Sequence, residues 1–198
     1  MGKGRLDLMI GSMYSGKSSA LLRKLSQFSD IGEKVLYINH SIDTRSNSDY
    51  STHCKLINGT ELTFDSMKIQ SFKDFKYSKI YDGTEQKYSI VGIDEAQFFD
   101  ESLVDFVLYL VEELNVYVIV VGLDGTFERK PFGSILNLIP YSDNITKLHA
   151  ICKNCYSEKK EMVTAIFSLR TIKNKEKVLV GAEDSYIPVC RECYLKLS

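Results

Sequence analysis

The chain has 198 residues, enough for one domain with a small appendage. Hydrophobic residues make up 44% and charged residues 26%, which excludes a disordered tail, a collagen-like repeat and a membrane bundle. Lys and Arg (25) nearly balance Asp and Glu (26), and the net charge of −1 argues against a main task of coating nucleic acid or an anionic membrane. The longest apolar stretch, 116–123, is far short of the roughly 20 residues that a membrane-spanning helix needs. At the N-terminus, Asp7 interrupts an apolar run too short for a signal peptide. The expectation is a soluble, cytoplasmic protein.

In chain order, residues 5–10 read as an apolar strand that runs straight into the segment 11–18. Ala20, Leu21, Leu25 and Phe28 then recur at helical spacing, opposite Arg23 and Lys24, and Gly32 marks the helix end. Val35 to Ile38 predicts a second strand. Residues 41–60 are polar and irregular and hold Asp43, Thr44 and Arg45, while 61–87 gives only weak signals. Residues 89–93 predict a buried strand that delivers Asp94 and Glu95. An amphipathic helix follows, with Leu103, Phe106, Val107, Leu110 and Leu114 on one face, and 116–121 is the most apolar strand. Strands alternating with helices predict an α/β fold built on a parallel sheet. From about residue 150 the pattern changes to cysteine pairs around a Lys-rich segment, so the chain divides into 1–149 and 150–198.

G-x-x-x-x-G-K-S at 11–18 (Gly11, Ser12, Met13, Tyr14, Ser15, Gly16, Lys17, Ser18) is a P-loop, placed as the motif requires between a strand and a helix. Its glycines let backbone N–H groups turn onto phosphates, and the helix N-terminus adds its positive end. Lys17 would reach the β- and γ-phosphates, and the Ser18 hydroxyl would bind Mg²⁺. Asp94 closes a hydrophobic strand in the Walker B position and would share that Mg²⁺. Beside it, Glu95 can take a proton from an attacking hydroxyl, as in a kinase, or from water, as in an NTPase. The motif alone does not choose between them. Phe98, Phe99, Phe127 and Phe132 follow strand ends, where the ligand crevice of an open α/β sheet lies, and suit a flat base. One or two of these rings could equally be core.

Four of the five cysteines form two C-x-x-C pairs, Cys152 with Cys155 and Cys190 with Cys193, the spacing of a tetrahedral zinc site. Two disulfides or a redox pair are the alternatives, and without a secretion signal they fit less well. His149 is a possible further ligand, and Cys54 reads as a free thiol.

Together, G-S-M-Y-S-G-K-S, D-T-R, D-E-A-Q-F-F, L-D-G-T-F-x-R-K-P-F-G and the two cysteine pairs resemble the thymidine kinase family with a zinc-binding lasso domain, along essentially the whole chain. The resemblance implies a P-loop α/β domain followed by that lasso, and transfer of the ATP γ-phosphate to the 5′-hydroxyl of thymidine. It makes Glu95 the catalytic base. Asp43 and Arg45 lie near the phosphates, and Gln97, grouped with the cofactor-binding residues, is a polar neighbour of the base. Phe98 and Phe127 pack on thymine, and Met13, Leu123 and Phe132 line the pocket. Tyr186 covers the substrate, with backbone around Leu179 and Gly181 gripping the base. Ser168, also expected to bind the substrate, stands where the family more usually has Thr in A-x-[FY]-[TS]-x-R. The segment between Cys155 and Ser168 is longer than the family pattern and is expected to be a surface extension of the zinc knuckle. The resemblance further implies a homotetramer, dTTP as feedback inhibitor, structural zinc, and neither nucleic acid nor membrane as partner. The competing reading is an NTP-driven nucleic-acid-binding ATPase, gripping a strand through its zinc ribbon and Lys159, Lys160, Lys173, Lys175 and Lys177. A non-catalytic zinc module would leave the Asp94–Glu95 pair unexplained.

Overall fold

The structure, a computed structural model, describes residues 4–43, 64–73, 75–172 and 185–198. Six strands form one parallel sheet: β1 (Arg5–Gly11), β2 (Val35–His40), β3 (Asp65–Ile69), β4 (Ile90–Ile93), β5 (Tyr117–Gly122) and β6 (Asn144–Leu148). Their spatial order is β3-β2-β4-β5-β1-β6. A central parallel strand must be apolar on both faces, because crossover segments cover both. The sequence obeys this with a period of two. Leu6, Leu8, Ile10, Leu36, Ile38, Val118 and Val120 point to one side. Met9, Val35, Tyr37, Ile119 and Val121 point to the other.

Helix α1 (Lys17–Asp30) lays Leu21, Leu22 and Leu25 on the second face. It packs so closely on β4 that a Cβ on Gly92 would come within 2.5 Å of the Leu25 side chain. The opposite face is covered by α2 (Ser102–Leu108) through Leu103, Phe106 and Val107. Each such fully buried side chain contributes about 1.5–3 kcal/mol. The single amphipathic helix expected here does not run through unchanged. After Leu108 it widens into a π-helical turn, Tyr109–Glu113. Leu110 stays buried, and its carbonyl accepts from the Val116 N–H at 2.9 Å, which carries the chain directly into β5.

The strand alternation also buries Asp7 in β1, on the α1 side. Its charge is met by Arg5 at 2.8 Å, Lys24 at 2.6 Å and the Tyr117 hydroxyl at 2.6 Å. Burial pushes its carboxyl up, but these three donors outweigh it and hold it below the usual range.

Beyond β6 the chain builds a second, smaller cluster. It has two antiparallel pairs, β7 (Ala150–Ile151) with β8 (Thr164–Ala165) and β9 (Phe167–Arg170) with β10 (Tyr186–Val189). Two short helices, α3 (Lys153–Lys159) and α4 (Arg191–Leu197), each start directly after a cysteine, Cys152 and Cys190. Their core is Ala150, Ala165, Leu169, Val189 and Tyr194 packed around cysteines. Among the described residues no helix is long and apolar enough to cross a membrane.

Candidate active site

The C-terminal ends of β1, β2, β4 and β5 converge on one edge of the sheet, and the motif residues sit there. At the end of β1 the backbone has no room for a side chain: a Cβ on Gly11 would lie 2.2 Å from the Leu148 carbonyl oxygen of β6. Gly16 starts α1 with φ +79, a conformation that costs other residues roughly 1–2 kcal/mol. Between these glycines Lys17 folds back over the loop, its Nζ donating to the Ser12 carbonyl at 2.7 Å. Ser12 Oγ is buried with no hydrogen-bond partner among the described residues, a polar atom inside the loop that a phosphate would satisfy. Tyr14 is half exposed at the loop tip with φ +63. Met13 offers its N–H to Ser168 Oγ at 2.9 Å, so strand β9 is tied to the P-loop.

Asp94, at the end of β4, is 1% exposed. It accepts hydrogen bonds from Ser18, from the Glu95 N–H at 2.8 Å and from the Tyr37 hydroxyl at 2.9 Å. Burial, then the neighbouring Glu95 charge, push its carboxyl up to about 6 despite those donors. A buried carboxylate beside a hydroxyl, costly in its charged form, suits a divalent cation. Tyr37 gave no such signal in the sequence. On an apolar strand it reads as core, and only its need to pair a buried hydroxyl hints at Asp94.

Glu95 follows with φ +51, a left-handed conformation uncommon outside glycine, and ends the strand just before the short 3₁₀ turn Ala96–Phe98. Gln97 is 2% exposed, and both ends of its carboxamide are engaged. The Leu123 N–H donates to Oε1 at 2.9 Å, and Nε2 donates to Glu95 Oε2 at 2.5 Å. A backbone N–H can only donate, so the amide oxygen faces Leu123 and its NH₂ faces Glu95. Two glycines make room for this bridge. A Cβ on Gly122 would lie 2.7 Å from Gln97 Oε1, and one on Gly133 would lie 2.2 Å from the Gln97 carbonyl oxygen. Asp43, buried beyond β2, accepts from Asn39 Nδ2 at 3.0 Å, while its carbonyl accepts from Lys68.

The aromatic residues separate into two roles. Phe99 is 2% exposed and packs with His40 and Phe72, so it is core. Phe98, Phe127 and Phe132 are half-buried. Phe98 meets Phe132 edge-on at 5.6 Å and His40 at 5.8 Å. The loop after β5 closes on itself through the Thr126 N–H to the Lys130 carbonyl at 2.8 Å. Its Phe127 carbonyl accepts from the Tyr194 hydroxyl at 2.8 Å. Arg129 stacks on Tyr194 at 4.4 Å, and Arg170 stacks on Phe127 at 3.8 Å. Tyr194 was not singled out by the sequence, and Arg170 stood there only as the last residue of A-x-[FY]-[TS]-x-R with no role, because their partners lie far away in the chain.

The Sγ atoms of Cys152, Cys155, Cys190 and Cys193 lie within 4.8 Å of one another. Cys155 is 3.8 Å from Cys190 and 3.5 Å from Cys193. Four sulfurs at tetrahedral Zn–S distances of about 2.3 Å stand roughly 3.8 Å apart, so this donor set fits a structural metal ion. His149 is exposed and is not among the four.

Of the residues singled out from sequence, the P-loop, Asp43, Asp94, Glu95, Gln97, Leu123, Phe98, Phe127, Phe132, Ser168, Tyr186 and the four cysteines are placed as above. Arg45, Leu179, Gly181 and Cys54 lie outside the described residues. The thymidine kinase family model matches residues 4–194. The thymidine kinase of Vaccinia virus (strain Tian Tan) is 38% identical over 197 residues, covering 98% of this chain and 99% of that protein. The cytosolic thymidine kinase of Cricetulus griseus is 36% identical over 196 residues, 99% of this chain and 75% of that protein. Thymidine kinase 1 of Dictyostelium discoideum is 37% identical over 198 residues, 96% of this chain and 78% of that protein. Matched in this way from end to end, the chain belongs to the thymidine kinase family.

Proposed function

We propose that the protein transfers the γ-phosphate of ATP to the 5′-hydroxyl of thymidine, with Glu95 as catalytic base. One observation carries the assignment of roles: a P-loop with a buried Ser12 hydroxyl, a Ser18–Asp94 contact and a hydrogen-bonded Glu95 meet at a single sheet edge. The loop amides, Lys17 and Ser12 cradle the phosphates of ATP. Family likeness adds Asp43 and Arg45 near the phosphates. Ser18 and Asp94 would hold Mg²⁺, which supplies charge neutralisation at the phosphate oxygens. Glu95, held through Oε2 by Gln97, orients the 5′-hydroxyl and takes its proton as the oxygen attacks phosphorus. Lys17 spreads the charge that develops on the transferring group. Phe98, Phe127 and Phe132 hold the thymine, together with Met13 and Leu123. Tyr186 covers the substrate, and family likeness alone assigns the backbone at Leu179 and Gly181 to grip the base. Ser168 acts through the P-loop, because its hydroxyl accepts the Met13 N–H.

The four cysteines would hold zinc, whose contribution is to fold the 150–198 domain that carries the lasso, apart from the 1–149 domain that carries the chemistry. Family likeness alone supports the finer expectations of a cytoplasmic homotetramer inhibited by dTTP. No observation favours the nucleic-acid ATPase. Lys160 stacks its ammonium on Tyr156 at 5.2 Å, and Lys173, Lys175 and Lys177 lie outside the described residues.

Glu95→Gln tests the assignment. It keeps shape but removes the proton acceptor, so turnover should fall about 10²–10⁴-fold while thymidine and Mg·ATP still bind. Near-normal phosphorylation by this variant would remove Glu95 from the base role.

A further inference from the structure

Strands β9 and β10 pair Arg170 directly with Tyr186 and Ser168 with Pro188. Alternation sends Phe167, Leu169, Ile187 and Val189 into the cysteine-lined core, so Ser168, Arg170 and Tyr186 share the opposite face. That face meets the active site, because Ser168 holds the P-loop there. The Arg170 guanidinium lies 3.8 Å from the Phe127 ring centre and 5.1 Å from that of Tyr186. Its Nε, at 3.1 Å, and its Nη2 both donate to the Tyr186 hydroxyl. A hydroxyl has two acceptor positions and one proton. A guanidinium can only donate, so the Tyr186 oxygen is the acceptor in this contact and its own O–H turns away from Arg170, toward another acceptor.

We propose that Arg170 is a positioning residue for nucleoside binding: it holds Phe127 and Tyr186 as one unit and sets the Tyr186 hydroxyl as a donor to an acceptor oxygen of the nucleoside. The proposal rests on the reading that Phe127 and Tyr186 bind thymidine. It specifies a flat, doubly donating cation. Lysine carries the charge but has neither the planar face nor the fixed pair of donors, so it cannot substitute.

The test is calorimetric titration of thymidine into the intact wild type, Arg170→Met, Arg170→Lys, Tyr186→Phe, Phe127→Ala and the Arg170→Met/Tyr186→Phe double variant. Arg170→Met and Tyr186→Phe should each weaken thymidine about tenfold, the scale of one charge-assisted hydrogen bond. The double variant should be no more than about twofold worse than the weaker single. Arg170→Lys should not restore binding, and KM for ATP should stay within about twofold throughout. Wild-type thymidine affinity in Arg170→Met, or losses that multiply in the double variant, would overturn the proposal. If Arg170→Met does not fold, Arg170→Lys runs the same cycle. Should Phe127→Ala lose thymidine while Arg170→Met keeps it, the nucleoside-site reading stands and the role of Arg170 falls. Should Phe127→Ala and Tyr186→Phe both bind normally, both fall.

Discussion

Gln97→Leu removes both halves of the bridge between Leu123 and Glu95 at nearly constant volume. The first loss is structural. The Leu123 N–H, now bonded at 2.9 Å, is left without its acceptor beside buried Gly122, which costs about 1–3 kcal/mol. For a chain of this length that lowers Tm by about 2–4 °C per kcal/mol. The second loss falls on the reaction. Glu95 Oε2 gives up a charge-assisted bond of 2.5 Å, worth about 1.5–3 kcal/mol. If that bond holds the carboxylate in place throughout proton transfer, kcat falls roughly 10–150-fold. KM for ATP should barely move, since Lys17 and the loop amides are untouched. Gln97→Glu separates the two losses. It keeps an acceptor for Leu123 but sets a second carboxyl against Glu95, and two carboxylates in contact share a proton. The acid limb of its kcat profile should therefore move to higher pH while Tm changes little. Steady-state kinetics between pH 5.5 and 9, with thermal melts of both variants, read all of this. A Gln97→Leu enzyme with kcat within about twofold of wild type at every pH would refute the reasoning.

Two further outcomes follow from the same site. Asp94 binds its proton more tightly folded, at about 6, than unfolded, near 3.8, so its contribution to stability is fully present below about pH 4 and is lost as pH rises through 6. Without Mg²⁺ at pH 8, Asp94→Asn should therefore melt higher than wild type although it is inactive, and a lower Tm would count against this. In wild type, the Mg²⁺ needed for half-maximal rate should rise as pH falls through 6, and a requirement independent of pH would contradict cation binding by Asp94. Metal analysis should find about one zinc per chain, lost in Cys190→Ser. Its loss should raise KM for thymidine more than that for ATP, because Tyr194, next to Cys193, holds the Phe127 carbonyl. A metal-free protein with normal thymidine kinetics would exclude structural zinc.

The parts that could be read in the sequence are those whose signal is local. β1, β2, β4 and β5 are apolar on both faces, and the P-loop, Asp94–Glu95 and the cysteine pairs are short patterns with fixed spacing. β3 and β6 escaped, for a common reason: they are the outer strands of the sheet, half-solvated, and Asp65–Ile69 and Asn144–Leu148 carry polar residues at every other position or more. Phe98 and Phe99 are indistinguishable as letters. Only the φ +51 turn at Glu95 and the short 3₁₀ turn Ala96–Phe98 decide which ring enters the core. Gln97 could be named from its motif, yet its action depends on an N–H 26 positions away. Tyr194 and Arg170 are likewise defined by partners that the fold brings to them.

The most direct measurement is the dependence of ATP consumption on thymidine, with ADP and thymidine monophosphate counted together. ADP formation should be negligible without thymidine, rise with it to saturation, and yield one thymidine monophosphate per ADP. ADP formed at a comparable rate with water as sole acceptor, or stimulated by nucleic acid instead of thymidine, would contradict this.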